Sequence, residues 1–162
     1  MTFVKPANSS NAEYYDQIAK GYNQLYGEEQ REKARLLLQL LPVHGFLLDI
    51  GAGTGIATDL FRDKATCVLL DPSMKLLEQA EGIRVVGTAE ALPFPAYTFD
   101  TIISLTALHH TDLSKSLAEI ERVKKNDAAV GITILKQANI DWSLLKKYRK
   151  IDGDKDWIFI SV

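Results

Sequence analysis

The sequence predicts an α/β fold with a doubly wound, mainly parallel sheet. From Gly45 onward, short apolar runs alternate with helical stretches, which is typical of parallel strands covered by helices on both faces. A glycine-rich turn, residues 51–55, follows the first run, and the acidic residue Asp71 ends the second. Because crossover connections are right-handed, this pattern favours a sheet that winds in both directions from a central strand. We expect about seven strands, with a short antiparallel edge near the C-terminus.

The composition of the chain indicates a globular protein. The chain has 162 residues, of which 25% are charged and 46% hydrophobic, and its formal net charge is −2. These values are ordinary for one domain and indicate no polyanion-binding surface. The single cysteine, Cys67, excludes an internal disulfide and a cysteine-rich zinc centre. We find neither a signal-peptide pattern nor an apolar run of ~18 residues, so we expect a cytoplasmic location.

Two helices are predicted before the first strand. Ser10 and Glu13 have the spacing of a capping box, which marks a helix over residues 11–26. Gly27 interrupts the pattern, and a second helix is predicted over residues 28–41, where a proline ends it. The apolar positions of the first helix recur at helical spacing: Tyr15, Ile18, Tyr22 and Leu25.

Five parallel strands and the helices between them make up the predicted core. The predicted helices cover residues 56–62, 73–80 and 113–124. The predicted strands are Phe46–Ile50, residues 66–70, Ile83–Val86, Phe99–Leu105 and residues 129–135.

The C-terminal part predicts a helix and a terminal hairpin. Residues 141–150 can form a helix, Asp152-Gly153 is a turn signal, and residues 156–162 form a final strand. The segment 148–151 fits either the helix or a strand.

The glycine-rich turn and Asp71 carry the chemistry. The turn lies between a strand and a helix, where a doubly wound sheet binds ligands, and glycine lets a ligand approach the backbone closely. Ile56 occupies the third glycine position of a dinucleotide fingerprint, so the match to that motif is incomplete. An acid in the place of Asp71 can accept from both hydroxyls of a ribose. It can also cap the helix that Pro72 begins, and both roles are compatible.

Five sequence blocks occur in a fixed order, and together they resemble a known family. The blocks are Asp49-Ile50-Gly51-Ala52-Gly53-Thr54-Gly55, Leu70-Asp71-Pro72-Ser73-Met74, Gly87-Thr88-Ala89-Glu90-Ala91-Leu92-Pro93-Phe94, Phe99-Asp100 leading into Ala107-Leu108-His109-His110, and Glu119-Ile120-Glu121-Arg122-Val123. With these blocks the chain is similar to the class I S-adenosylmethionine (SAM)-dependent methyltransferases with a Rossmann-like fold, in particular the ubiquinone/menaquinone-biosynthesis (methyltransferase type 11) branch.

The resemblance implies SAM as cofactor and S-adenosylhomocysteine as product. Gly51 and Gly53 would pass under the methionine part of SAM, and Asp49 would meet its amino group directly or through water. Asp71 would hold the ribose hydroxyls, and Met74 would pack against the adenine. The resemblance also divides the chain into a helical cover (1–44), a cofactor-binding core (45–135) and a C-terminal helix with edge strands (136–162).

The adenine side departs from the family pattern at one position. Many relatives carry an aspartate where this chain has Thr88, whose hydroxyl can still accept a hydrogen bond but without charge assistance. The Ala89 amide could also serve the adenine. Tyr15 and Tyr22 resemble the aromatic helix that covers the cofactor in the family, although plain helix packing explains them equally well. The resemblance adds these residues to the cofactor-binding set: Ala52, Gly55, Pro72, Glu90 and Leu105.

His109 and His110 are the candidate catalytic residues. They follow the fourth strand, at the edge where the active site should open, and histidine titrates near neutral pH. One of them could act as a base, or both could simply line the loop. No group of His, Asp and Glu has metal-ligand spacing, so we predict no metal site.

We expect methyl transfer to an oxygen, carbon or nitrogen atom of a small molecule. The basic run in segment 146–150 keeps RNA or protein methylation as an alternative, and a non-catalytic SAM-binding protein or partner subunit is another. The short C-terminal region implies an open site, from which we expect a homodimer or a partner subunit that completes the wall.

Overall fold

The computed structural model describes residues 11–162 and consists of a seven-stranded sheet flanked by helices. The strand order is β3-β2-β1-β4-β5-β7-β6, in which β1 to β5 are parallel and β6 and β7 run antiparallel. This confirms the predicted doubly wound fold and its antiparallel edge. The strands are β1 Phe46–Ile50, β2 Thr66–Asp71, β3 Ile83–Val86, β4 Phe99–Leu105, β5 Lys124–Leu135, β6 Arg149–Asp152 and β7 Asp156–Ser161.

Helices cover both faces of the sheet. The α-helices are α1 Asn11–Ile18, α2 Tyr22–Leu40, α3 Met74–Leu77 and α4 Leu113–Val123. Short 3₁₀ turns lie at Ala19–Gly21, Thr58–Phe61, Leu108–His110 and Trp142–Leu145. No helix in the part of the chain that the structure describes is both long and apolar enough to cross a membrane.

The alternation of side chains along the strands divides the core into two layers. In β1, Leu48 packs in the same buried cluster as Ile120 of α4. Leu47 points to the other face and packs in the cluster that contains Leu37 of α2. Because both faces of β1 are buried, this strand reads as an almost continuous apolar run, which is why the sequence located it correctly.

The predicted break at Gly27 is wrong, because α2 continues through it. The interruption instead lies at the 3₁₀ turn Ala19–Gly21, between α1 and α2. A Cβ atom built on Gly27 would lie 2.8 Å from Cδ1 of Ile56, so the glycine lets α2 approach the glycine-rich turn closely. The proposed Ser10 cap lies outside the described residues.

Three predicted helices are shorter in the structure than the sequence suggested. Segment 56–62 contains only the 3₁₀ turn Thr58–Phe61, and segment 73–80 contains only α3. In segment 141–150 the helix is replaced by the 3₁₀ turn Trp142–Leu145 and the start of β6. Pairing with β7 decides this last case, since β6 finds its hydrogen-bond partners in the next strand of the hairpin.

The last strands differ from the prediction mainly at their ends. β5 begins at Lys124 rather than at residue 129, and its pairing with β4 is irregular between Phe99 and Thr101. The early part of β5 is therefore a bulged extension of the predicted strand. β6 and β7 form the predicted hairpin, in which Gly153 donates a backbone hydrogen bond to Asp156 at 3.1 Å.

Candidate cofactor-binding and active site

A cavity of about 220 Å³ opens at the carboxyl ends of β1, β2 and β4. This is the switch point of the sheet, since β1 is flanked by β2 on one side and β4 on the other. The sequence-predicted residues that line it are Tyr15, Tyr22, Gly51, Gly53, Asp71, Pro72, Thr88, Ala89, Glu90, Leu105 and His110.

The glycine-rich turn forms the floor of this cavity. Gly51 has a φ of +76°, and a Cβ atom there would lie 2.5 Å from Cβ of Ala107. Only glycine fits both the left-handed backbone and the close approach of the loop after β4. The amides of Gly51 and Ala52 donate to the Leu70 carbonyl at 2.8 and 3.0 Å, which fixes the turn against β2.

Asp71 is a buried carboxylate at the end of β2 that lines the cavity. Its Oδ2 accepts from the Gly53 amide at 2.9 Å and its Oδ1 from the Ser73 amide at 2.8 Å. Burial raises the pKa of Asp71 to about 6, although these two hydrogen bonds oppose the shift. Each oxygen retains a further lone pair, so the group can still accept from a ligand's hydroxyls.

Asp49 lies beneath the turn and does not line the cavity. Its side chain is 2% exposed, and Oδ2 accepts from the Thr58 hydroxyl at 2.6 Å. Burial raises the pKa of Asp49 to about 7. In this position Asp49 supports the turn from below, and its contact with a bound amino group, directly or through water, stays a prediction.

Ala52, Gly55 and Met74 also lie outside the cavity lining. Gly55 packs inward, where a Cβ atom would lie 2.8 Å from Leu69. Met74 is 59% exposed, whereas Leu76 of the same helix turn is buried and lines the cavity. The packing of Met74 against an adenine therefore stays a prediction.

Two tyrosines cover the cavity from the N-terminal helices. The Tyr15 and Tyr22 ring centroids lie 6.1 Å apart, and Tyr15 lies 6.4 Å from the His110 ring on the opposite wall. Burial raises the pKa of Tyr15 to about 12, so the phenol stays neutral in the physiological range. These rings form an aromatic lid between α1, α2 and the loop after β4.

The loop after β3 forms the side wall. Thr88, Ala89 and Glu90 line the cavity there, and Glu90 Oε1 accepts from the Asp112 amide at 3.0 Å. Thr88 is exposed, so its hydroxyl is available to a ligand.

An ion pair on α4 holds the loop after β3 in place. Arg122 donates to the Phe94 carbonyl at 2.7 Å and the Leu92 carbonyl at 2.9 Å. Glu119 pairs with Arg122 and accepts from the Leu92 amide at 2.7 Å. Two of the sequence blocks are therefore in direct contact, and the α4 block has a structural role in positioning the loop.

The structure separates the two candidate histidines. His110 lines the cavity, whereas His109 does not. Burial lowers the pKa of His109 to about 4, a shift that His110 reinforces and Asp156 opposes. Nδ1 of His109 is buried without a hydrogen-bond partner among residues 11–162. His110 is therefore the histidine placed to meet a ligand in the cavity. Within the same described range, no group of three or more His, Cys, Asp or Glu side chains could hold a metal ion.

Several lining residues were not predicted from the sequence. Most of them adjoin predicted ones at strand ends, so their position next to Gly51, Asp71 or Leu105 could have found them. Leu76 and Thr111 carried no comparable signal. The unpredicted lining residues are Ile50, Leu70, Leu76, Thr106, Ala107, Leu108 and Thr111.

The lining fits a nucleoside with an amino-acid tail. A buried acid in the place of Asp71 suits ribose hydroxyls, and the apolar side chains around Thr88 suit a base. A Cβ atom on Gly53 would lie 3.7 Å from both Tyr22 and Leu76, within the space that the tail would need. The residues present therefore fit SAM.

Comparison with known families agrees with this geometry. Residues 48–132, just over half of the chain, match the type 11 family described as "Methyltransferase domain". The chain belongs to this family of class I SAM-dependent methyltransferases.

Curated relatives extend beyond the matched domain. The uncharacterized protein MJ1252 of Methanocaldococcus jannaschii is 36% identical over 137 residues, which cover 80% of this chain and 53% of that protein. The malonyl-[acyl-carrier protein] O-methyltransferase of Halorhodospira halophila is 35% identical over 143 residues, covering 78% of this chain and 46% of that enzyme. The chain therefore spans about half the length of these relatives.

Two solved structures share the architecture. A Methanococcus maripaludis protein assigned as a SAM-dependent methyltransferase has a TM-score of 0.78 at 15% identity, with 98% of this chain and 96% of that chain covered. A Haloferax volcanii protein assigned as a methyltransferase, solved in complex with the Trm112 methyltransferase activator, has a TM-score of 0.69 at 25% identity. That alignment covers 74% of this chain and 59% of the other.

Proposed function

We propose that the chain binds SAM in the switch-point cavity and catalyses methyl transfer to an oxygen, carbon or nitrogen atom of a small molecule. The buried Asp71 carboxylate carries this proposal, because it lines the cavity where the family's nucleotide cofactor would place its ribose. SAM supplies a methyl group on a sulfonium, which needs no further activation as a leaving group.

The chain's own contribution is orientation and exclusion of water. Gly51 and Gly53 would seat the cofactor, and Tyr15 and Tyr22, which line the same cavity, would cover it. Correct placement of two reactants can lower a barrier by about 7–11 kcal/mol. We propose that His110, which lines the cavity, accepts a proton from an acceptor hydroxyl or amine, and that His109, which does not line it, has no catalytic role.

Two of the four cations in the basic run, segment 146–150, have partners within the chain. Lys147 Nζ lies 2.6 Å from a Glu121 carboxylate oxygen, and Lys150 Nζ lies 3.7 Å from the Trp157 ring centroid. Lys146 and Arg149 of the same run are exposed. A phosphate backbone is bound by several cations on one face, so RNA stays the alternative acceptor.

A partner subunit is a second element of the proposal. The Haloferax volcanii neighbour is assembled with an activator protein. We propose that the active form of this chain is likewise a homodimer or a complex with a partner chain, which completes the wall around the acceptor.

Calorimetry tests cofactor binding. We expect micromolar affinity for SAM or S-adenosylhomocysteine, on the order of −8 kcal/mol, and no preference for NAD. Asp71→Ala should weaken binding by about 1.5–3 kcal/mol. Asp127→Ala, which removes an exposed acid in β5, is the matched control and should bind normally. Unchanged affinity in folded Asp71→Ala protein would remove the ribose assignment.

Release of S-adenosylhomocysteine over a panel of small acceptors tests catalysis. SAM binding without turnover, with or without partner chains, would favour a non-catalytic SAM-binding protein.

A further inference from the structure

A second cavity, of about 340 Å³, lies at the same edge of the sheet. It is bounded by α2, the carboxyl end of β5 and the hairpin that leads into β7. Asp156, the first residue of β7, lies in its lining beside Thr133 of β5. Neither the resemblance nor the cofactor accounts for this cavity.

Asp156 is a buried carboxylate of which only one oxygen is hydrogen-bonded within the described residues. Its exposure is 3%, and Oδ2 accepts from Lys33 Nζ at 3.1 Å and from the Thr106 hydroxyl at 2.8 Å. Oδ1 is buried and has no hydrogen-bond partner among residues 11–162. Leaving a buried charged acceptor without a donor is costly, so a ligand that donates here would gain a strong, charge-assisted hydrogen bond.

The cavity is acidic as a whole. Lys33 is engaged by Glu29 at 2.7 Å and by Asp156, and Lys155 lies 3.6 Å from Glu29. No cation of the lining is therefore left without an acidic partner. The charged lining residues are four acids and two lysines: Glu29, Glu32, Asp154, Asp156, Lys33 and Lys155.

A hydrogen-bonded chain joins this cavity to the cofactor cavity. Thr106 lines the cofactor cavity, and its hydroxyl accepts from Lys33 Nζ at 2.7 Å and donates to Asp156. The wall between the two cavities is therefore about one side chain thick. Thr106 also has a φ of +53°, a backbone conformation that β-branched residues rarely adopt. Its hydrogen bonds to Lys33 and Asp156, together with its backbone bond to Thr133, hold it there.

We propose that the second cavity binds a protonated amino group of the methyl acceptor, with Asp156 as the recognising acid and the methylated end reaching past Thr106 to the cofactor. This rests on the proposed methyltransferase function and narrows the acceptor to small cationic amines. A carboxylate in the same place would face the acidic lining and be repelled.

Calorimetry in the presence of S-adenosylhomocysteine tests the proposal with simple probes. The probes are 1,5-diaminopentane, the uncharged 1,5-pentanediol of the same length, and the dianion glutarate. The diamine should bind, and the diol and glutarate should bind at least about tenfold more weakly, as expected for loss of a charge-assisted hydrogen bond. Equal binding of diamine and diol to the unaltered protein would overturn the proposal without any variant.

Two substitutions then locate the contact. Asp156→Asn should weaken diamine binding about tenfold or more while leaving affinity for S-adenosylhomocysteine within about twofold. Asp154→Asn, which neutralises an exposed acid of the same cavity, should change diamine binding by no more than about threefold. Equal losses in both variants would mean diffuse attraction by the acidic surface, and would refute recognition by Asp156.

The same measurements separate the two proposals. Failure of S-adenosylhomocysteine to bind, with the diamine still bound, would remove the proposed function. Normal S-adenosylhomocysteine binding with no discrimination among the probes would remove only the amine site. Transfer of a methyl group to the diamine, measured by S-adenosylhomocysteine release and lost in Asp156→Asn, is the positive outcome for both.

Discussion

The pKa of Asp71 predicts how cofactor affinity depends on pH. Burial raises this pKa to about 6, so the carboxylate is mostly ionised at pH 7 and mostly protonated at pH 5. Ribose hydroxyls donate to the ionised form. Binding should therefore lower the pKa of Asp71, and affinity should be lost as the pH falls through about 6.

The magnitude follows from the ionised fraction. With a pKa of about 6, the ionised fraction is roughly nine-tenths at pH 7 and one-tenth at pH 5. The dissociation constant for S-adenosylhomocysteine should thus rise about tenfold between these two values, which corresponds to about 1.4 kcal/mol.

Calorimetry at half-unit pH steps measures this change, and Asp71→Asn is its matched control. The variant should bind weakly at every pH and lose the tenfold slope. A midpoint near 7 instead would assign the titration to Asp49, whose pKa burial raises to about 7. A flat profile for the unaltered protein, or the same slope in the variant, would refute the contact between Asp71 and the ribose.

Four further predictions concern the turn, the wall and the assembly. Asp49→Asn keeps a partner for Thr58 and removes a buried charge, so the free energy of unfolding at pH 8 should rise by about 1–3 kcal/mol. The gain should shrink as the pH falls from 8, because the folded carboxyl protonates near pH 7, and it should vanish only below about pH 4, where Asp49 is protonated in the unfolded chain as well. Denaturant titration at pH 8 and at about pH 3.5 measures this change; an equal gain at both values would contradict the cause. Gly51→Ala should lower the free energy of unfolding by about 1–3 kcal/mol because of its φ and the approach of the loop after β4, while Gly21→Ala, with no atom within 4 Å of the added Cβ, should change it little. Equal effects of the two glycine substitutions would disprove that reasoning. Thr88→Asp should bind SAM by calorimetry at least as well as the parent, with a modest gain, because the position is exposed and a new charge there keeps its water; a clear loss would show that the adenine side is arranged differently. Light scattering at micromolar concentration should give the mass of a dimer, or of a complex once a partner chain is added; a strict monomer that is fully active alone would disprove the need for a second subunit.

The sequence was sufficient for most strands of the sheet. β1, β3 and β4 occur at their predicted bounds, because each is a short, mainly apolar run between turn signals, although β3 is largely exposed. The short helices were less predictable. Segment 141–150 has helical spacing, but its last residues pair with β7 across the turn at Asp152-Gly153, and the spacing alone does not decide between the helix and this pairing.

The candidate site likewise contains residues that local sequence patterns identified and residues that they did not. Gly51 directly follows β1 and Asp71 ends β2, where glycine and acidic residues are conspicuous, and both line the cavity. Lys33 and Asp156 are unremarkable in the sequence, one on a charged helix face and the other at the start of a strand. Only the fold brings them together at 3.1 Å, so local reasoning had no signal for the acidic cavity.

The continuous helix α2 contributes side chains to both cavities. Tyr22, at its first turn, belongs to the lid over the cofactor, and Lys33, farther along the same helix, holds Asp156. Eleven residues separate them, which is about three turns and about 16 Å, so both side chains project from the same side of one stiff rod. A displacement of α2 would therefore move both side chains together. Gly27 lies between them, where a Cβ atom would lie 2.8 Å from Cδ1 of Ile56.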